Sequence, residues 1–174
     1  MTTEPSSPSG RSWKRYLLYA VGAGFALFLL IQLVPYGHDH NNPAVSKAVV
    51  FKDPKVAQMV ANSCGDCHSN LTKYPWYASV APVSWLVANH VGEGRSKLNF
   101  SEWDRAQPPV DELAEKINSG EMPGWQYELE HSNAKLSASE KKLLIAGLVQ
   151  MYRDTPPAGI TDGGGEGGEG GEGD

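Results

Sequence analysis

The sequence predicts an all-α fold: one helical domain of about a hundred residues behind a single N-terminal transmembrane helix. Three observations predict it. Apolar residues recur at three-to-four spacing in several segments between residues 53 and 155. Nowhere is there the sustained alternation that a half-buried strand requires. Finally, Leu17 to Val34 is an apolar run with one strongly polar member, Gln32. At the helical rise it spans roughly 27 Å, close to the hydrocarbon thickness of a bilayer.

Residues 1–12 hold Thr, Ser, Pro and Gly without apolar periodicity and read as a disordered cytoplasmic stub. The anchor occupies 13–36. Trp13, Tyr16, Tyr19 and Tyr36 sit at or near its ends, where rings favour the membrane interface. Arg11, Lys14 and Arg15 precede it and no Lys or Arg follows until Lys47, so the N-terminus is expected in the cytoplasm and the rest outside. A cleaved signal peptide competes, but Gln32-Leu33-Val34-Pro35-Tyr36-Gly37 lacks small residues around a cut site. A buried core helix fits poorly, since the run is apolar on every face. Residues 37–52 read as a linker; its His38-Asp39-His40 reads as part of a solvated spacer rather than a metal site.

The folded domain is expected over 53–155. Asp53 suits an N-cap and Pro54 the first helical position, with Val56, Met59, Val60 and Ser63 behind them. A second helix is expected from Pro82 to about Val91. Ser101-Glu102-Trp103 marks a short turn or helix. Val110, Leu113 and Ile117 mark a further helix, stopped by Gly120. Ser137-Ala138-Ser139-Glu140 has capping-box spacing before the final helix, which ends ahead of Pro156-Pro157. Residues 156–174 form an acidic, Gly-rich tail expected to be disordered. Its Asp162, Glu166, Glu169, Glu172 and Asp174 equal the whole net charge of −5. Solvation by this tail is preferred to a basic docking partner, and no nucleic-acid partner is expected.

Cys64-Gly65-Asp66-Cys67-His68 carries the chemistry. Two thiols three positions apart can bond the vinyl groups of one haem, and the histidine that follows is placed to bind iron. One covalent haem c is therefore the expected cofactor, held by Cys64 and Cys67 with His68 as proximal ligand. These are the only two cysteines in the chain. A thioredoxin-like CxxC would need a βαβ pattern, which is absent, and a zinc site recruiting His90 or His131 would have poor tetrahedral geometry. Covalent haem is assembled outside the bacterial cytoplasmic membrane, which agrees with the expected orientation.

For the distal ligand, Met122 stands in Ser119-Gly120-Glu121-Met122-Pro123-Gly124-Trp125, a loop rather than a helix face. His/Met ligation raises the potential relative to bis-His. The alternatives left open are a core methionine, His131, His90 and an open site.

With these motifs in place, the sequence resembles the class I cytochrome c fold and, more narrowly, the bacterial haem-binding domain family. The likeness runs through Cys64-Gly65-Asp66-Cys67-His68-Ser69-Asn70, Tyr74-Pro75-Trp76-Tyr77, Ala81-Pro82-Val83-Ser84-Trp85 and His90-Val91. It continues through Leu98-Asn99-Phe100-Ser101-Glu102-Trp103, Gly120-Glu121-Met122-Pro123, His131 and Leu136-Ser137. It implies a cytochrome c-like helical domain wrapped round one haem, with Cys64, Cys67 and His68 as haem ligands and Met122 as the sixth. Tyr74, Trp76, Tyr77, Trp85, Phe100, Trp103 and Trp125 suit the walls of such a site. Arg95, Asn99 or an indole N–H are candidates for the haem propionates.

The expected function is a membrane-anchored electron carrier, not an enzyme, whose donor and acceptor are membrane redox proteins. Two alternatives stand beside it. One is a haem peroxidase-like enzyme or gas sensor with an open or labile sixth position. The other is a fixed subunit of a respiratory or photosynthetic membrane complex.

Overall fold

Seven α-helices carry the fold among residues 12–161, which are those the computed structural model describes. Residues 1–11 of the expected stub and the acidic end of the tail, 162–174, lie outside the described residues. The chain divides into two compact units.

The first unit joins the residues up to Asp39 with Pro75–Ala88. Its α1, Ser12–Ile31, includes a stretch from Trp13 to Ile31 long and apolar enough to cross a membrane, and none of that stretch is buried. The helix stops five residues before the expected end of the anchor. The polar member of the apolar run, Gln32, bonds both backbone groups of Ala81: its amide donates to Ala81 O (3.1 Å) and its oxygen accepts from Ala81 N (3.0 Å). A short 3₁₀ turn, Trp76–Ser79, precedes this point.

The second unit comprises His40–Tyr74 and everything from Asn89 onward. Its first helix, α2, is Pro54–Ser63, capped by Asp53, whose carboxylate accepts from Lys55 N at 2.8 Å. The four-residue α3, Gly65–His68, follows at once. The next helix, α4, runs Val83–Lys97 across the division between the units, well past the expected stop near Val91. Then come α5, Val110–Ser119, closed by the left-handed Gly120 (φ 82°), and the short α6, Trp125–Glu130, with a 3₁₀ turn at Ser132–Ala134. The last helix, α7 (Ala138–Asp154), starts on the expected capping box: Ser137 and Glu140 exchange both bonds.

The core lies where α2, α5 and α7 meet. Val56 and Val60, Ile117, and Leu144, Leu148, Met151 and Tyr152 are buried together with Leu98, Phe100 and Trp103. At Gly147, α7 approaches α2 closely; a Cβ there would come within 2.6 Å of Val56. Trp103 is wholly buried, stacked near Phe100 (6.2 Å) and edge-on to Tyr152 (5.0 Å), and its indole N–H donates to Thr155 O at 2.7 Å. Trp103→Ala is expected to cost about 3–5 kcal/mol. A urea midpoint equal to that of the unchanged chain would contradict this placement.

Two segments expected to be loose are ordered. In the linker, His40 stacks on Tyr74, Asn42 and Ala44 donate or accept hydrogen bonds, Ser46 reaches Asp104, and Val49 and Phe51 pack on the core. At the start of the expected tail, β2 (Gly159–Ile160) pairs in parallel with β1 (Ala106–Gln107). Both cases have one cause: short segments gained partners distant in sequence, which local composition does not encode.

Candidate functional site

The Cys64–His68 motif is built by a tight handover between helices. Cys64 N–H closes the last turn of α2 on Val60 O (3.0 Å), and Cys64 O then accepts from Cys67 N and His68 N (3.2 and 2.8 Å). Both thiols and the imidazole therefore lie on one turn. The cysteines are free, and burial pushes Cys64 up to about 12 and Cys67 up to about 11. The charge of Asp66 adds to the effect on Cys67, and Arg95 opposes it.

The His68 ring is held by the end of α4. Its Nδ1 is 2.9 Å from Gly94 O and 3.2 Å from Leu98 O. Carbonyls only accept, so the hydrogen-bond network assigns the proton to Nδ1 and leaves Nε2 with its lone pair free. Burial lowers the pKa, partly offset by the two carbonyls, so the ring is neutral at pH 7 and competent as a metal ligand. Gly94 permits this approach, because a Cβ there would come within 2.5 Å of Cys67 O. His68 O in turn accepts from Phe100 N (2.8 Å).

Cys64, His68 and Met122 line one cavity of about 820 Å³, within the ~300–1,000 Å³ range usual for ligand sites. Its apolar wall is Leu98, Phe100, Leu113, Ile117 and Leu148, and Lys97, Glu112, Lys116 and Glu121 also line it. Lys116 pairs with Glu121 at 2.9 Å. Met122 is brought there by its loop: Met122 N–H donates to Lys116 O (3.1 Å), and a cis Met122–Pro123 bond leads into α6.

Other expected site residues go elsewhere. Arg95 does not line the cavity. Its Nε donates to Ser69 O (2.9 Å), and its Nη2 to Thr72 Oγ1 (2.8 Å) and Asn42 Oδ1 (2.5 Å). His90 is exposed on α4 and is not among the lining residues. His131 also lies off the cavity, stacked on Tyr127 (4.1 Å, 15°) with Nδ1 3.1 Å from Tyr127 O.

Asn99 is buried in a side-chain lattice. It donates to Asn70 Oδ1 (2.8 Å), accepts from Ser101 N, and receives support from Gln107. This lattice explains the Leu98–Trp103 motif as a scaffold behind His68. Of the aromatics expected to wall the site, only Phe100 lines the cavity; Trp103 is core, and Trp76 and Trp125 are exposed. Branched aliphatics on α5 and α7 form the wall instead. Their helices are legible in the sequence, but the side of each helix that meets the cavity is not.

The donor set fits a haem held through cysteines: two thiols and a neutral imidazole share one turn, and Cys64, His68 and the Met122 thioether line one apolar-walled cavity, whereas Cys67 is not among its lining residues. No curated protein and no solved structure matches the chain. A family model described as Haem-binding domain matches residues 26–150, most of the chain, and the protein therefore belongs to the haem-binding domain family.

Proposed function

We propose that the protein is a membrane-anchored mono-haem c-type cytochrome that carries electrons on the outer face of a bacterial cytoplasmic membrane. The observation that carries this reading is the convergence of Cys64, His68 and Met122 on one apolar-walled cavity. When bound, haem supplies an iron that cycles between ferric and ferrous states.

The chain's residues have distinct duties around it. Cys64 and Cys67 hold the group covalently, and His68 offers Nε2 because Gly94 and Leu98 occupy Nδ1. Met122 offers a soft sulfur, which favours the reduced state. Lys97, in the cavity lining, is the cation proposed for the propionates, a duty that Lys116 is less suited to because it pairs with Glu121 and Arg95 because its guanidinium is committed to Ser69, Thr72 and Asn42. With His68 and Met122 both holding the iron, no position would remain for a substrate, and function would reduce to outer-sphere electron transfer. That neither His90 nor His131 lines the cavity favours Met122 over bis-His ligation.

The apolar helix from Trp13 to Ile31 serves as a retained anchor with its N-terminus in the cytoplasm. It confines the haem near membrane redox proteins acting as donor and acceptor, singly or within a complex.

The test is Met122→Ala. The intact protein is expected to be low-spin when ferric, with a sulfur-to-iron charge-transfer band. The variant loses that band and its ferrous form binds carbon monoxide rapidly. A band retained in the variant overturns Met122 as ligand. A high-spin resting form in the intact protein that already binds carbon monoxide favours the peroxidase or sensor reading.

A further inference from the structure

Met122 hangs between two supports. On the N-terminal side its backbone is fixed to α5 through Lys116 O, and the neighbouring Glu121 pairs with Lys116. On the C-terminal side the chain enters α6, which begins at Trp125 and is only six residues long. A helix of this length does not hold itself in water, so what fixes α6 also fixes where the thioether can reach.

Its principal fastening is Tyr127. The Tyr127 hydroxyl has one proton, directed at Asp66 Oδ2 at 2.7 Å, with Asn62 O alongside at 3.2 Å. Asp66 is one of the two residues between the haem-binding cysteines. Its carboxylate is held from the other side, Oδ1 accepting from Lys73 N (3.0 Å), and its backbone O accepts from Thr72 Oγ1 (2.6 Å). The Tyr127 ring is braced by His131, stacked face to face. Further along, Ser63 Oγ, immediately before Cys64, donates to Ala134 O at 2.9 Å in a buried contact. The segment leaving Met122 is thus tied back to the turn that carries Cys64, Cys67 and His68.

Resting on the reading of Met122 as the sixth ligand, we propose that Tyr127 and Asp66 are positioning residues that hold Met122 in place on the cavity it shares with Cys64 and His68. The bond is charge-assisted and therefore among the stronger kinds. It ties the turn carrying Cys64 and His68 to the helix that follows Met122, through two residues that do not line the cavity. His131 serves the same device as a brace for the tyrosine ring rather than as a ligand.

The test uses the full haem-loaded chain in detergent and free imidazole as a probe that competes with Met122. Tyr127→Phe keeps the ring and its stacking and removes only the hydroxyl. Asp66→Ala removes the same bond from the other end, so a folding failure in one variant leaves the other to decide. Each is expected to keep its covalent haem stain, weaken the sulfur-to-iron band and bind imidazole about tenfold more tightly or more, as loss of a hydrogen bond to a charged group predicts. The double variant is expected to go no further than either single change. Asp66→Asn, which retains an acceptor, is expected to recover part of the effect. Unchanged imidazole affinity in Tyr127→Phe, with the band intact, overturns the proposal. A Met122→Ala spectrum identical to that of the unchanged protein instead overturns the ligation reading, and the positioning role falls with it.

Discussion

Replacing Cys64 and Cys67 together by Ala is expected to abolish covalently held haem, with no haem stain surviving on a denaturing gel. The two thiols are the chain's only cysteines, so no other side chain can form a thioether bond to a haem vinyl group. His68 and the cavity wall would remain, and a haem retained by coordination alone would be lost on denaturation. In the haem-free chain, burial keeps both thiols neutral at pH 7, since Cys64 is pushed up to about 12 and Cys67 to about 11 from an ordinary 9.0. A haem stain equal to that of the unchanged protein would overturn covalent attachment at these positions.

The second large effect is expected at Gly94. By helix propensity alone, Gly94→Ala in α4 should stabilise by about 1 kcal/mol. Sterics oppose it. The new Cβ would lie 2.5 Å from Cys67 O and 3.0 Å from Cys67 C and Cβ, and these atoms belong to a turn locked by its own hydrogen bonds. Overpacking of this kind costs about 1–3 kcal/mol. Displacing α4 would also draw Gly94 O away from His68 Nδ1, so the loss should appear both in thermal stability and in a reduced low-spin fraction. Gly92 supplies the control. It lies in the same helix, and a Cβ there meets nothing within 4 Å. Gly92→Ala is expected to raise the melting temperature while Gly94→Ala lowers it. Equal shifts in both variants would show that α4 does not need the close approach.

Gly92 and Gly94 also show why α4 looks too short in the sequence. Two glycines beside polar residues resemble a helix end, and the expected stop falls near Val91. In the fold, the helix continues to Lys97 because the packing against Cys67 offsets the propensity cost. The stretch hidden from the sequence is the one that orients His68. Arg95 shows how little of a side chain's partners is written locally. An arginine near a haem motif suggests a propionate partner, yet its guanidinium is committed to Ser69, Thr72 and Asn42, contacts that span 23 to 53 positions of sequence. The same holds for the aromatics. Their size suits a haem wall, but nothing local distinguishes Phe100, which lines the cavity, from Trp103, which fills the core, or Trp125, which is exposed.

By itself, the sequence determined what is encoded locally. That comprises the apolar run, the caps at Asp53 and Ser137, the stop at Gly120, and the Cys64-Gly65-Asp66-Cys67-His68 motif, which lies within five consecutive residues. The tertiary structure alone decided which helix face meets which. It placed Met122 on the cavity with His68, and stacked His131 on Tyr127 away from the cavity lining. It also committed Arg95 to a backbone clamp and closed α4 over the attachment turn at Gly94. Caps and covalent motifs act over three or four residues and leave their mark in composition. Packing partners are chosen by burial across tens of residues, and that choice is made only when the chain closes on itself.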